Sequence, residues 1–295
     1  MGLTVKINLT SDFQVFVKNI YKNHAFVSGN KLHKLKYNII EAKNQKKRTL
    51  LTFGGAYSNH IAAVAAAGNI FGFETIGVVR GEELKNKING NPTLSFAKQQ
   101  GMQFQFISRD EFRNKGSKLF IENLELQFGD FYLIPEGGTN KLAVKGCEEI
   151  LEEGDEVYDY ICCPVGTGGT ISGIINASFP HQKILGFPAL KGDFLQEEIT
   201  KFTTKTNWEL ITDYHFGGYA KANEVLIRFI NTFKEEHKIP LDPVYTGKML
   251  YGIQDLIAKD FFPKQSKILI IHTGGLQGIE GMNTVLKKKN LPLIQ

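Results

Sequence analysis

Short apolar runs alternate with longer amphipathic ones along most of this chain, and that alternation restricts the fold more than any other feature. The short runs are Phe13–Val17, Thr49–Phe53, Thr75–Val79, Gln103–Ile107, Tyr158–Cys163, Lys183–Phe187 and Lys267–His272. They are rich in Val, Ile and Phe, and several are apolar at successive positions. A strand reads this way when helices cover both of its faces, because no position is then left to water. Helical runs lie between them, at Lys31–Lys43, Ser58–Ala67, Asn91–Gly101, Ala143–Leu151, Gly169–Ser178, Glu224–Glu236, Lys248–Ala258 and Gly278–Lys287. In the first, Leu32, Leu35, Ile39 and Ala42 recur at helical spacing. Repeated strand–helix–strand units predict an α/β chain of open, twisted, mostly parallel sheets flanked by helices. Such sheets gather their binding loops at the carboxyl ends of the strands.

The 295 residues suit two domains or one large one, and a hydrophobic share of 42% is enough to bury a core. Asp110–Lys118 and Gly138–Lys141 are polar enough to be loops or helix starts, and a domain boundary near Gly138 is compatible with that. The formal charge of +5 is scattered, with no lysine block longer than Lys287-Lys288-Lys289, so no nucleic-acid partner is expected. No apolar run approaches the ~20 residues of a membrane span, and the opening MGLTVKINLTSDF lacks the pattern of a signal peptide. Lys6 stands where a myristoylation motif wants Ser or Thr. Cys147, Cys162 and Cys163 are too few and too oddly spaced for a disulfide framework or a zinc site. Cys162 and Cys163 read as core thiols of a strand, and a reducing, cytoplasmic setting is expected. Neither HExxH nor GxSxG occurs, and no metal is expected.

Five segments can carry chemistry. In Ser28-Gly29-Asn30-Lys31-Leu32-His33-Lys34-Leu35 a turn is followed by a helix that Lys31 opens. The positive end of the helix dipole lowers the pKa of such a lysine and favours the neutral amine that a Schiff base needs. Taken alone, Lys31 reads far more readily as a solvated lysine at a helix start. In Phe53-Gly54-Gly55-Ala56-Tyr57-Ser58-Asn59-His60 a strand ends in two glycines and Ser58 or Asn59 caps the next helix. Free N–H groups there make a seat for a carboxylate, or simply a capped helix. In Pro164-Val165-Gly166-Thr167-Gly168-Gly169-Thr170-Ile171-Ser172-Gly173 a glycine loop joins strand to helix. It is not GxxxxGK[ST], and Ile171 occupies the last glycine of a dinucleotide fingerprint, so a small phosphate monoester fits best. Leu241-Asp242-Pro243-Val244-Tyr245-Thr246-Gly247-Lys248 sets a tyrosine near a helix start, where a lowered pKa would let it exchange protons, though taken alone it reads better as a packed surface tyrosine. His272-Thr273-Gly274-Gly275 is another strand end, with His272 readable as a core residue.

In this order, from about Ser28 to the C-terminus, the five segments resemble the family of pyridoxal-phosphate (PLP) enzymes that contains 1-aminocyclopropane-1-carboxylate deaminase and D-cysteine desulfhydrase. These have the tryptophan-synthase-β-like fold, fold type II. The resemblance rests on GNKxxKL, GGxxSNH, GTGGT, DPVYTGK and HTGG together. It implies PLP as cofactor, a small amino acid as substrate and a homodimer. Lys31 matches the lysine bonded to the cofactor, and Asn59 the residue on its phenolic oxygen. Gly166, Thr167, Gly168, Gly169 and Thr170 match the phosphate loop. Ser58 matches a serine beside the substrate, and Tyr219 and Tyr245 match two tyrosines that flank substrate and ring. Tyr57, Ser58, Asn59 and His60 would line the substrate.

Two positions divide the family. The deaminase branch resembles a glutamate at the place of Thr246 and a leucine at that of Thr273; here both are threonine, as in the desulfhydrase branch, and His60 resembles that branch too. A threonine hydroxyl can bond the ring nitrogen without forcing its protonation, which suits elimination of a good leaving group. The resemblance therefore implies α,β-elimination on a D-amino acid. The alternatives are the deaminase itself, a D-serine dehydratase, or a PLP-binding protein without turnover. It also implies a large domain from residues 1–33 and 139–295 and a small one from 34–138, with the cofactor between them. Two departures stand out: the stretch before Lys31 is shorter than the family pattern, and Tyr57 replaces a smaller or polar residue.

Overall fold

The computed structural model describes residues 4–9 and 12–295. Its strands are β1 (Thr4–Ile7), β2 (Gln14–Lys18), β3 (Thr49–Gly54), β4 (Glu74–Arg80), β5 (Gln103–Ile107), β6 (Tyr132–Ile134), β7 (Tyr160–Val165), β8 (Lys183–Pro188), β9 (Trp208–Leu210) and β10 (Lys267–Ile271). Its helices are α1 (Asn30–Asn44), α2 (Asn59–Phe71), α3 (Pro92–Gln99), α4 (Arg109–Arg113), α5 (Lys118–Phe128) and α6 (Lys141–Glu148). They continue as α7 (Gly169–Ala177), α8 (Phe194–Thr200), α9 (Glu224–His237), α10 (Thr246–Ala258) and α11 (Gly278–Lys288).

Two sheets result. One has the order β1-β2-β10-β7-β8-β9, the other β5-β4-β3-β6. Every pairing is parallel except β1 with β2. The expected architecture of mostly parallel sheets flanked by helices is present. Strand β10 shows why these strands are apolar throughout. Ile268 and Ile270 face a core built with Leu226 and Ile230 of α9 and Met249 and Ile253 of α10. Leu269 and Ile271 face the opposite core, with Ile171, Ile174 and Ile175 of α7 and Leu195 and Ile199 of α8. All four strand residues are fully buried. Each such side chain contributes ~1.5–3 kcal/mol by leaving water. The second sheet repeats the plan: Leu50 and Ile134 pack under Leu35 and Ile39 of α1 and Ile61 and Val64 of α2. On its other face Leu51, Phe53 and Val78 meet Phe112 of α4 and Leu124 of α5.

The sequence-based strand and helix positions agree with these elements to within a few residues, and Gln103–Ile107 agrees at both ends. Three strands were not expected. β6 and β9 are three residues long, too short to show a period, and β1 is an edge strand with two exposed positions. The polar stretch 110–118 holds α4, whose Ser108 and Glu111 form a reciprocal capping box, and leads into α5. Helix α5 is masked in the sequence because Leu119 and Leu126 are exposed while only Leu124 is buried, so its apolar residues mark no single face.

Helix α1 carries the chain from the large sheet to the small one. It starts at Gly29, whose φ is +63° and whose missing Cβ would stand 1.9 Å from the Thr273 carbonyl oxygen. Only glycine permits that approach. It clamps the start of α1 to the loop after β10, so the carboxyl ends of the two sheets converge. Among the described residues no helix is long and apolar enough to cross a membrane.

Candidate active site

A cavity of about 750 Å³ lies where the loops after β3, β4, β6, β7 and β10 converge. Two lysines of α1 enter its wall. Lys34 is almost fully buried, and its Nζ donates to the Gly137 carbonyl at 2.8 Å, to Thr139 Oγ1 at 2.9 Å and to Thr167 Oγ1 at 3.4 Å. Burial lowers its pKa to about 8. Lys31 has one long contact, 3.4 Å from its Nζ to Asn30 Oδ1. Its pKa falls to about 7, first through burial and then through the charge of Lys34. The sequence argument named the helix dipole; the structure makes desolvation the leading cause.

The loop between β7 and α7 forms an anion seat. Gly168 takes a left-handed conformation (φ +83°) as N-cap of α7 and offers no side-chain cap to the first-turn amides. Those N–H groups have no intrahelical acceptor. Asn30 Nδ2 donates to Thr170 Oγ1 at 2.8 Å, and Thr167 Oγ1 lies 2.6 Å from Thr139 Oγ1. A Cβ on Gly169 would stand 3.3 Å from Lys34 Nζ, which puts the ammonium directly behind the loop. Gly166, Thr167, Gly168 and Thr170 line the cavity, while Gly169 lies behind them as the first residue of α7.

Across the cavity, the β3–α2 turn presents Tyr57, Ser58, Asn59 and His60. Ser58 caps α2 by accepting from the Ile61 amide at 3.3 Å. The amides of Asn59 and His60 begin the helix without an intrahelical acceptor. Asn59 Oδ1 is buried without a hydrogen-bond partner among the described residues. His60 is buried, with Nε2 2.8 Å from Thr52 Oγ1. Because the Thr52 hydroxyl donates to the Ile134 carbonyl, it must accept from His60, which leaves the lone pair on Nδ1. Nδ1 also lacks a partner among the described residues. Burial, then the charges of Lys31 and Lys34, hold His60 well below its usual pKa, so it is neutral. Tyr57 reaches across to α11, where a Cβ on Gly281 would come within 2.4 Å of its ring. The tyrosine therefore bridges the two sheets' loops, and position 281 must stay glycine for it to do so.

The tyrosines Tyr219 and Tyr245 face each other at 6.1 Å between ring centroids in an edge-to-face arrangement. The Tyr245 ring lies 3.2 Å from where a Cβ on Gly166 would be, against the anion loop. Burial, followed by the charge and hydrogen bond of Tyr219, raises the Tyr245 pKa well above its ordinary value. The sequence reading required a lowered pKa for proton exchange in both directions; the structure makes Tyr245 a donor that keeps its proton.

Thr246 is also placed differently from the sequence expectation. It is fully buried and does not line the cavity, and its Oγ1 donates to Asp242 Oδ1 at 2.7 Å. Asp242 further accepts from the amides of Val244, Tyr245 and Thr246 at 2.8–2.9 Å. The aspartate pins the start of α10, and Thr246 completes that clasp rather than facing a ligand. Thr273 does line the cavity.

Sequence reasoning passed over three groups. Lys34 lies in the same motif as Lys31, and Asp242 lies in DPVYTGK; an Asp followed by Pro signals a turn that the aspartate staples. Lys248 is the third. It is buried in an otherwise apolar face of α10, and its Nζ donates at 2.8 Å to the carbonyls of His215 and Gly218. It thereby ties down the loop that carries Tyr219, where Phe216, Gly217, Gly218 and Ala220 all have positive φ.

Residues 5–274 match the family described as pyridoxal-phosphate dependent enzyme. The chain belongs to that family. Among relatives of this PLP enzyme, the mitochondrial bifunctional D-cysteine desulfhydrase/1-aminocyclopropane-1-carboxylate deaminase of Arabidopsis thaliana is 32% identical, over 86% of this chain and 70% of its own. The D-cysteine desulfhydrase of Klebsiella pneumoniae strain 342 is 28% identical, over 89% of this chain and 87% of its own. A crystal structure of an ACC deaminase homologue superposes with a TM-score of 0.82 at 26% identity, covering 96% of this chain and 93% of its own. The PLP enzyme is thus a lyase of the ACC deaminase/D-cysteine desulfhydrase family.

Its residues fit the cofactor. A phosphate dianion suits the uncapped start of α7 with Lys34 behind it. An aldehyde suits an amine whose pKa is about 7. The orphaned Asn59 amide suits a ring hydroxyl, with either amide end turned to it. Among the described residues, no three His, Cys, Asp or Glu side chains lie together as a metal site.

Proposed function

We propose that this lyase carries out α,β-elimination on a small D-amino acid, D-cysteine in the first place, giving sulfide and an aminoacrylate that, once released, water hydrolyses to pyruvate and ammonia. The observation that carries the choice lies beyond the tyrosines. Position 246 is a threonine turned to Asp242, Thr273 offers a hydroxyl, and the Asp242 oxygens already accept four donors. No carboxylate there is free to hold a ring nitrogen protonated. That lowers the electron-accepting power of the site, and expelling a thiolate demands less of it than opening a cyclopropane does.

When bound, PLP supplies the sink for the electron pair of the broken Cα–H bond. The protein supplies the rest. Lys31 Nζ, increasingly neutral as pH rises past about 7, accepts the Cα proton. The Ser58 turn, with the amides of Asn59 and His60, seats the substrate carboxylate. Tyr245 keeps its proton and hydrogen-bonds to the leaving sulfur, and Tyr219 closes over the substrate from the rim. Tyr57, braced on Gly281, walls the side of the pocket where the β-substituent departs. Strands β3–β6 fall within 34–138 and the other strands within 1–33 and 139–295, which supports reading these as the small and large domains.

Sulfide release from D-cysteine, measured beside L-cysteine and with Lys31→Ala as control, tests the proposal. Sulfide from the D-isomer alone, lost in the variant, is the expected result. A protein that is yellow with bound PLP and releases no sulfide from either isomer would remove the D-cysteine assignment.

A further inference from the structure

The cavity contains one cationic group more than a simple amino acid and PLP require. Lys34 stands behind the phosphate seat, and the Ser58 turn takes one carboxylate. At the mouth, Arg109 is paired with Glu83 at 3.0 Å and Lys115 with Glu136 at 3.0 Å. Arg80, at the end of β4, lines the cavity too, and among the described residues no carboxylate pairs with it. Its guanidinium carbon is 5.6 Å from the centroid of the Phe112 ring, which fixes one face of the group. Its Nη2 lies 3.6 Å from where a side chain on Gly55 would begin, beside the turn that leads to Ser58. The guanidinium is also near enough to Tyr219 to oppose the rise that burial imposes on that hydroxyl. It therefore stands between the carboxylate seat and the outer tyrosine. The volume agrees: about 750 Å³ is in the upper part of the roughly 300–1,000 Å³ range of small-molecule sites, more room than a three-carbon amino acid beside the cofactor fills.

We propose that Arg80 forms a subsite for a second acidic group on the amino-acid side chain, so that amino acids with two acidic groups bind in preference to their neutral counterparts and are handled beside D-cysteine. The inference rests on the reading of the Ser58 turn as the seat of the α-carboxylate. Arg80 presents a planar fork of donors suited to a carboxylate, sulfonate or phosphate. A neutral side chain leaves that fork to water.

The test is equilibrium binding to the holoenzyme, which needs no turnover. Aspartate is compared with asparagine, and glutamate with glutamine, in both enantiomers, by calorimetric titration of wild type, Arg80→Lys and Arg80→Gln. Each pair differs by one charge at nearly constant shape, and the two pairs probe two reaches. The acid of at least one pair is expected to bind about tenfold more tightly than its amide, the scale of one charge-assisted hydrogen bond at a half-wet site. Arg80→Gln is expected to abolish that ratio and Arg80→Lys to retain part of it. Equal binding of acid and amide in wild type overturns the proposal. So does a ratio that survives in Arg80→Gln. An equal loss for acid and amide in Arg80→Gln would place Arg80 on the shared α-carboxylate and also overturn it. Sulfide or pyruvate release is a separate readout, so failure of the elimination reading is distinguishable from failure of this one.

Discussion

At one end of the cavity the polar side chains hold one another around the free amides of α7; at the other, several polar side-chain atoms wait. Lys34 donates to Gly137, Thr139 and Thr167, and Thr170 receives Asn30. Lys31, one turn earlier on the same helix, has a single 3.4 Å contact, and Asn59 Oδ1 and His60 Nδ1 have none among the described residues. Both lysines lose basicity to burial, to about 8 for Lys34 and about 7 for Lys31, and the charge of Lys34 adds to the fall at Lys31; only Lys34 has several acceptors at its ammonium. Buried polar groups normally find partners, so an unsatisfied set within one cavity marks the side that expects a ligand to complete it. The engaged end is built to grip an anion and the open end to react.

Removing Lys31 strikes the reactive end. Lys31→Ala should lower elimination by ~10³-fold or more, since it deletes both nucleophile and base; a loss under tenfold in kcat would break the contrast. Lys34→Met should instead weaken PLP binding by ~100-fold, through loss of the ammonium at the phosphate seat, and leave kcat at saturating PLP much less affected. Equilibrium dialysis against PLP separates the two variants. A Lys34→Met enzyme that binds PLP as tightly as wild type would show that the anion seat needs only its backbone.

The third effect is one of pH. With a pKa of about 7, the neutral fraction of Lys31 rises ~10-fold between pH 6 and pH 8, so the initial rate of PLP uptake by cofactor-free protein should rise by that factor and then level off. Lys31, Lys34 and Lys248 all have folded pKa values below that of a lysine in the unfolded chain. The unfolded chain therefore binds more protons between about pH 7 and roughly 10.4, and the contribution of these groups to stability grows with pH through that window. Denaturant midpoints at pH 6.5 and 9 read this directly. The smallest effect sharpens the comparison with a third lysine. Lys248→Met frees the loop of Tyr219, so KM should rise several-fold with a lesser change in kcat, and Lys248→Arg should restore part of it.

The contrast between the two ends was only half visible in the sequence. Strand and helix periods revealed most strands of the two sheets, because β10 and β3 are apolar on two faces and the glycine turns mark their carboxyl ends; the division into two sheets came only with the family resemblance. Ordered motifs revealed Lys31, the β3–α2 turn and the anion loop. What stayed hidden is tertiary: Lys34 and Thr246 are polar residues at helix positions, and no spacing tells that one turns to a loop over a hundred residues away and the other to an aspartate four residues back. Tyr57 looked like a substituent of the pocket alone until its ring was found on Gly281.

The most direct test is to reduce the holoenzyme with borohydride, digest it and locate the phosphopyridoxyl group by mass spectrometry. The expected result is modification of Lys31 alone. Modification at Lys34, three residues away and more deeply buried in the wall, would contradict the assignment of the open end as the reactive one.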